Sequence, residues 1–259
     1  MNGTLHILFF SPTHSSRGIA LALGDGLNAA LGMPQKNRDL TFPAGREKSL
    51  NCAPDDILVF AFPVYGGRVP RTLEAPLSRL RGNGATAVIA AVYGNRDYDD
   101  ALLEAADLLT RQGFTVTAAG AFIAEHSVAP SVGAGRPDAA DMAALTDFAR
   151  RAAAKIAAGK PTPISVKGKR PYKDRKPATD VRPKTADSCT RCMICVAGCP
   201  MRVISRDDPA VVAEGCIRCR ACVKFCPERA KFFDDAETAK IREMLESKCL
   251  TRREPELFL

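Results

Sequence analysis

Cys189, Cys192, Cys195 and Cys199 follow the spacing C-x2-C-x2-C-x3-C with Pro200 next, and Cys216, Cys219, Cys222 and Cys226, with Pro227, repeat it 27 residues later. In this spacing a tight loop offers three thiolates to three corners of an iron-sulfur cube, and the fourth cysteine of each run reaches across to the other cube. One [4Fe-4S] cluster is then expected on Cys189, Cys192, Cys195 and Cys226, and a second on Cys216, Cys219, Cys222 and Cys199. Structural zinc also takes four cysteines, but it pairs two doublets rather than triplets. Cys52 and Cys249 lie outside both runs and read as plain thiols. A segment of this size buries little apolar surface, so crossed ligation supplies much of its folding energy.

The elements that position these groups divide the chain. Its 259 residues, 46% hydrophobic and 25% charged, suit one large or two modest globular domains and exclude disorder. No apolar run reaches the length of a membrane span, and Met1 to Leu8 has no positive n-region. Ten cysteines in a chain without an export signal point to metal rather than disulfides, and to the cytoplasm.

From residue 4 to about 158, short apolar runs alternate with segments of helical period. Strands are expected at 4–10, 36–40, 57–62, 85–92 and 115–122, and helices at 17–31, 70–81, 99–112 and 138–157. This is the pattern of an α/β doubly wound five-stranded parallel sheet, whose ligands sit beyond the carboxyl ends of the strands.

Three loops lie there. Ser11-Pro12-Thr13-His14-Ser15-Ser16-Arg17 brings hydroxyls, amides and a guanidinium to a helix N-terminus, a site for a phosphomonoester; the plainer alternative is a Ser15 or Ser16 cap. Pro63-Val64-Tyr65-Gly66-Gly67 combines paired glycines, which let backbone approach a planar ligand, with an aromatic face. Tyr93-Gly94-Asn95-Arg96-Asp97-Tyr98 follows the fourth strand, and Asp99 or Asp100 after it suits a helix cap. His6 reads as a packed strand histidine. His126 reads as a solvated loop residue, with a substrate role as the alternative.

These loops, together with Pro-Val-Tyr-Gly-Gly-Arg-Val-Pro and Tyr-Gly-Asn-Arg-Asp-Tyr-Asp-Asp-Ala-Leu, resemble the flavin-binding loops of flavodoxins. The match is closest to a family that fuses a flavodoxin-like domain to a small α+β bacterial ferredoxin-like domain. The resemblance runs through the cysteine repeats to the tail Glu254-Pro255-Glu256-Leu257-Phe258-Leu259. It implies FMN, with Ser11, Thr13, Ser15, Ser16 and Arg17 at the phosphate. Pro63, Val64, Tyr65, Gly66, Gly67, Tyr93, Gly94, Asn95, Asp97 and Tyr98 would lie at the ring. His14 replaces the family's usual glycine at a turn that calls for positive φ.

The expected order is a flavodoxin-like domain (1–158), a basic Pro-rich linker (159–187), a 2[4Fe-4S] domain (188–235) and a C-terminal helix and tail (236–259). Ile241, Met244 and Leu245 of that helix are expected to pack on the chain itself. The net charge of +8 concentrates in the linker, which carries nine basic against three acidic residues and five prolines. No recognition helix or stacking platform accompanies it, so nucleic acid is not an expected partner. The function expected is an electron carrier that passes electrons between FMN and two clusters, with redox proteins as donor and acceptor and a homodimer left open. The alternative is an FMN-dependent reductase of a quinone, nitro compound or corrinoid. A cluster-based sensor is a weaker third reading, since a sensor needs no flavin pocket.

Overall fold

A computed structural model describes residues 3–159, 161–175, 177 and 179–259. The first part of the chain forms β1 (Leu5–Phe9), α1 (Ser15–Leu31), β2 (Gln35–Asp39), α2 (Pro43–Arg46), β3 (Leu50–Asn51), β4 (Ile57–Pro63), α3 (Glu74–Ser78) and β5 (Leu80–Arg81). It continues through β6 (Thr86–Tyr93), α4 (Ala101–Arg111), β7 (Thr115–Ile123) and α5 (Ala139–Ala157). Among the large strands the order is β2-β1-β4-β6-β7, all parallel. Counted as five consecutive strands this is 2-1-3-4-5, the flavodoxin-like order.

The two-residue period of the strands sorts their side chains into two cores. Leu5, Ile7 and Phe9, with Ile57, Val59 and Ala61, meet Ile19, Leu23 and Leu27 of α1 and Leu145, Phe148 and Ala152 of α5. Leu8 and Phe10, with Leu58, Phe60 and Phe62, meet Leu102, Ala105 and Leu109 of α4 on the other face. Both faces are covered, as a parallel sheet requires.

Two expectations need correction here. The helix expected over 70–81 is instead a 3-10 turn at Arg71–Leu73 and the five-residue α3, and Leu80–Arg81 then pairs with Leu50–Asn51 as a small parallel sheet. Pro76 offers no amide and so interrupts a longer helix. The main sheet also has a sixth strand. The chain runs on through β8 (Lys184–Thr185), α6 (Ile194–Ala197), α7 (Ala221–Lys224), β9 (Lys231–Phe232) and α8 (Ala236–Lys248) to β10 (Glu256–Phe258), which pairs antiparallel with β7. That strand covers an edge that would otherwise present unpaired amides and carbonyls.

Leu245 and Ile241 of α8 pack on Ala129 and Val132 as expected, but Met244 is exposed. The described linker residues form no helix or strand before β8, yet they are not free of the domain. Asp100 accepts the amides of Lys169 and Lys173, and Asp107 binds Arg170 and Tyr172. Ile164 and Val166 pack against the core beside α4. The basic linker is thus a strap held by the acidic residues of one helix and the turn before it.

Candidate functional site

The cysteine domain repeats itself in backbone as well as in sequence. Residues with left-handed φ fall at Arg191, Met193 and Arg202, and again at Arg218, Arg220 and Arg229, each pair 27 residues apart. The helices α6 and α7 keep that offset. So do the strand contacts, because Thr185 pairs with Lys231 and Ile204 bridges Val212. The second contact closes the hairpin expected around Asp207-Asp208-Pro209.

This pseudo-symmetry builds two cavities. One is lined by Cys189, Cys192, Cys195 and Cys226, and the other by Cys199, Cys216, Cys219 and Cys222. The structure therefore brings the eight cysteines together in the two crossed sets of three plus one. Cys192 of the first set is exposed, whereas Cys199 of the second is buried. Burial pushes the thiols of Cys219 and Cys222 up to about 12, so bare thiolates are disfavoured there. A bound cation reverses that preference and deprotonates a coordinating thiol outright. The donor set fits an iron-sulfur cluster in each cavity.

The second cavity faces the sheet. Ile217 packs into the core alongside Val64 and Tyr65. The Tyr65 phenol is held protonated, first by burial and then by the nearby Cys219. Phe225 lies against His14, Lys224 pairs with Glu125 at 3.4 Å, and Arg46 donates to the Pro200 carbonyl at 2.8 Å. His14, Arg46, Tyr65 and Glu125 all follow the carboxyl ends of parallel strands. The cysteine domain is seated over the edge where a doubly wound sheet binds ligands.

Three loops at that edge were expected to hold FMN. In the first, α1 begins at Ser15 rather than near Arg17, and His14 is its N-cap at φ 70° with no side-chain bond. Neither Ser15 nor Ser16 caps the helix. Instead the Ser11 hydroxyl accepts the Arg17 amide at 2.9 Å, while the Ser11 amide donates to Thr41 Oγ1 at 2.8 Å. The amides of Ser15 and Ser16 have no partner within the helix. With the Thr13 and Ser15 hydroxyls and the exposed Arg17 beside them, this loop fits a phosphate.

The second loop is a tight turn in which Tyr65 and Arg68 exchange both backbone hydrogen bonds. Gly66 and Gly67 have φ 61° and 84°, and a Cβ on Gly67 would lie 2.1 Å from Asp99 Oδ2. At Gly66 a Cβ would meet nothing within 4 Å, so backbone is open to a planar ligand.

The third loop departs from expectation. Tyr98 is 1% exposed, packs edge-on against Tyr93 and donates its hydroxyl to Glu256 of β10 at 2.7 Å. The Lys167 ammonium of the linker lies over its ring at 5.1 Å, so Tyr98 does not cover a ligand ring. Asn95 donates to the carbonyls of Cys249 and Thr251, and Asp97 faces Arg253. Asp100 occupies the cap position of α4 without a capping bond, its carboxylate being taken by the linker. What remains toward the edge is backbone at Gly94 and the Tyr93 hydroxyl, which is buried without a partner.

His6 is buried as expected, 3.3 Å from Asp56. His126 is not a solvated residue. It packs against Gly94 and accepts the Val128 amide on Nδ1.

Two residues of the site escape a reading by cysteines alone. Arg220 lines the second cavity and Lys231 the first, and both are buried. The signal was present in the repeat, for the same offset pairs Arg220 with Met193 and Lys231 with Ile204.

Comparison with known families agrees with the reading of the cysteine domain. The 4Fe-4S dicluster domain family matches residues 188–231. No curated protein sequence matches the chain. Among solved structures, a flavodoxin from Streptococcus pneumoniae TIGR4 is 21% identical, with a TM-score of 0.40 over 59% of this chain and 99% of that one. A flavodoxin from the domain Archaea is 12% identical, with a TM-score of 0.42 over 60% of this chain and 99% of its own. Rubredoxin oxygen:oxidoreductase from Desulfovibrio gigas is 16% identical, with a TM-score of 0.44 over 60% of this chain and 36% of its own. No helix among the described residues is long and apolar enough to cross a membrane.

Proposed function

We propose that this fusion of a flavodoxin-like α/β fold with a 4Fe-4S dicluster domain is an electron-transfer flavoprotein that carries FMN and two [4Fe-4S] clusters. The observation that carries the reading is the seat of the second cysteine cavity on the ligand-binding edge of the sheet, with Cys219 beside Tyr65. When bound, a flavin exchanges electrons in pairs or singly while each cluster takes one, so the two together convert between the two modes.

The chain's own residues position these groups. The amides of Ser15 and Ser16, the hydroxyls of Ser11, Thr13, Ser15 and Ser16, and Arg17 hold the phosphate at the positive end of α1. Pro63, Val64, Tyr65, Gly66 and Gly67 bound the ring on one side, and the Gly94 backbone with the Tyr93 hydroxyl forms the wall opposite, while Asn95 and Asp97 hold that loop to the tail. Cys199, Cys216, Cys219 and Cys222 hold the inner cluster, and Cys189, Cys192, Cys195 and Cys226 the outer one. The exposure of Cys192 makes the outer cluster the exchange point for a redox partner. Direct reduction of a small substrate is the poorer reading, because His14, Tyr65 and Glu125 are already met by the cysteine domain.

The test is an anaerobic absorption spectrum with iron, sulfide and flavin counted per chain, followed by reduction with a low-potential donor. Clusters that reduce while bound flavin stays oxidised indefinitely would refute transfer between them. Colourless protein carrying zinc would refute the reading entirely.

A further inference from the structure

The 27-residue repeat is broken at several buried positions, and two of the breaks place a cation. Met193 and Arg220 hold the same backbone role, as N-caps of α6 and α7 with φ 62° and 66°. Ile204 and Lys231 likewise occupy equivalent strand positions, facing Val212 and Thr185. Met193 lines the outer cavity where Arg220 lines the inner one.

The two cations are not equally committed. Lys231, 2% exposed, lines the outer cavity and donates its ammonium to the Pro209 carbonyl, but its charge reaches Cys195 of the outer set and Cys222 of the inner, so it is shared between the two. Arg220 is 7% exposed, lies over the Phe233 ring at 3.5 Å and donates from Nη2 to Thr238 Oγ1 at 2.9 Å. Its field falls on Cys216 and Cys222, both of the inner set. Its Nε is buried without any partner. A buried donor left unsatisfied is costly, and such a group in a ligand cavity calls for an acceptor.

We propose that Arg220 sets the potential of the inner cluster, its Nε-H donating to a cluster sulfur and its buried charge favouring the reduced form. This rests on the reading that Cys199, Cys216, Cys219 and Cys222 bind a cluster. Each cluster gains one electron on reduction and becomes more negative by one charge, with no bond made or broken. A fixed cation within the cavity stabilises that state. The inner cluster therefore lies above the outer one in potential, and the first electron to enter rests beside the flavin loops.

The experiment is an anaerobic redox titration of the whole loaded protein with dithionite, followed by electron paramagnetic resonance. Two separate one-electron transitions are expected. Arg220→Met, which installs the residue of the other half, lowers the upper transition and leaves the lower in place. Met193→Arg, which leaves the inner cavity intact, raises the lower transition. Arg220→Lys keeps the charge without the Nε-H and shifts the upper transition downward by less. Unmoved transitions in Arg220→Met and Arg220→Lys, with iron and sulfide counts equal to the parent protein, would overturn the role of Arg220. Should Arg220→Met fail to load, Arg220→Lys and Met193→Arg decide the matter by the same shifts. Half the expected iron and sulfide in the parent protein would instead defeat the underlying cluster reading.

Discussion

The His14 ring lies 4.5 Å from that of Phe225, centroid to centroid, and joins the loop after β1 to the turn that precedes Cys226. A left-handed non-glycine residue costs about 1–2 kcal/mol. The stack returns part of that cost, since aromatic pairs contribute about 0.5–1.5 kcal/mol. The ring contact thus offsets part of the backbone cost of His14 and ties the loop after β1 to the cysteine domain.

His14→Ala keeps the backbone cost and loses the stack, whereas His14→Gly loses both. The glycine variant is expected to be more stable than the alanine variant by about 1 kcal/mol. A double-mutant cycle with Phe225→Ala is expected to give a coupling of about 0.5–1.5 kcal/mol. Anaerobic urea denaturation of the loaded protein, followed by loss of cluster absorbance, measures both. Zero coupling would mean that the ring contact does not hold the domains together.

Crossed ligation gives a prediction that sequence proximity would reverse. Cys226 follows the second run but lines the cavity of the first. Cys226→Ser is expected to degrade the outer cluster, and Cys199→Ser the inner one, each leaving about four of about eight iron atoms per chain. Combining Cys226→Ser with Cys189→Ser should cost no more iron than either alone. Combining it with Cys216→Ser should strip both clusters. Iron and sulfide counts on anaerobically isolated protein distinguish the crossed pattern from a run-by-run one.

Glu104 is the anchor of the linker strap. Its carboxylate binds Arg68 at 2.8 Å, the Val69 amide at 2.8 Å and Arg175 at 2.8 Å. Burial pushes its pKa up, but the bonds from Arg68 and Val69 and the charge of Arg175 outweigh it and leave the group below the usual glutamate range. Removing one partner of a buried pair costs about 3–5 kcal/mol. Glu104→Gln is expected to fall at the low end of that range and to expose the chain around Lys173 to limited proteolysis. A depressed folded pKa means the contribution is complete above about pH 4.5 and is lost as pH falls through the folded value. The stability gap between variant and parent should therefore narrow as pH falls below the usual glutamate range, and a gap that stays constant from neutral pH through the acid limb would refute the assignment.

How much of this was legible in the sequence depended on how local the information was. The cysteine spacing carried both cavities, because a tight loop fixes where its thiolates go. The alternation of Leu5 to Phe10 carried the first strand and both core faces. The strand at Glu256–Phe258 was out of reach, since three residues show no period and their pairing with β7 spans more than a hundred residues. Tyr98 was misplaced for the same reason: its partner Glu256 lies on that strand. The +6 linker read as a connector because its acidic partners, Asp100, Glu104 and Asp107, lie on α4 and the turn before it, some seventy residues earlier in the chain.

His126 packs on the third loop and feels the charge of Arg220, and its protonation gives the last prediction. Its ring fills the space above Gly94, where a Cβ would lie 2.4 Å from His126 Cδ2. Burial first, and then the charges of Arg96 and Arg220, push its pKa from 6.5 down to about 4. The folded state holds the imidazole neutral while the unfolded chain binds a proton below about pH 6.5. Stability is therefore complete above that pH and declines as pH falls toward 4, by an amount on the order of 2 kcal/mol once partial exposure is allowed for. His126→Gln keeps a polar side chain of similar reach but cannot titrate. Its stability should stay flat where the parent's declines, as read by anaerobic denaturation at pH 7 and pH 5. Equal slopes in the two proteins would mean that other groups account for the acid sensitivity and that His126 titrates as freely as in the unfolded chain. Gly94→Ala should displace the same ring by steric contact and lower stability even at pH 7, where His126 is neutral in both states, which isolates the packing of His126 from its charge.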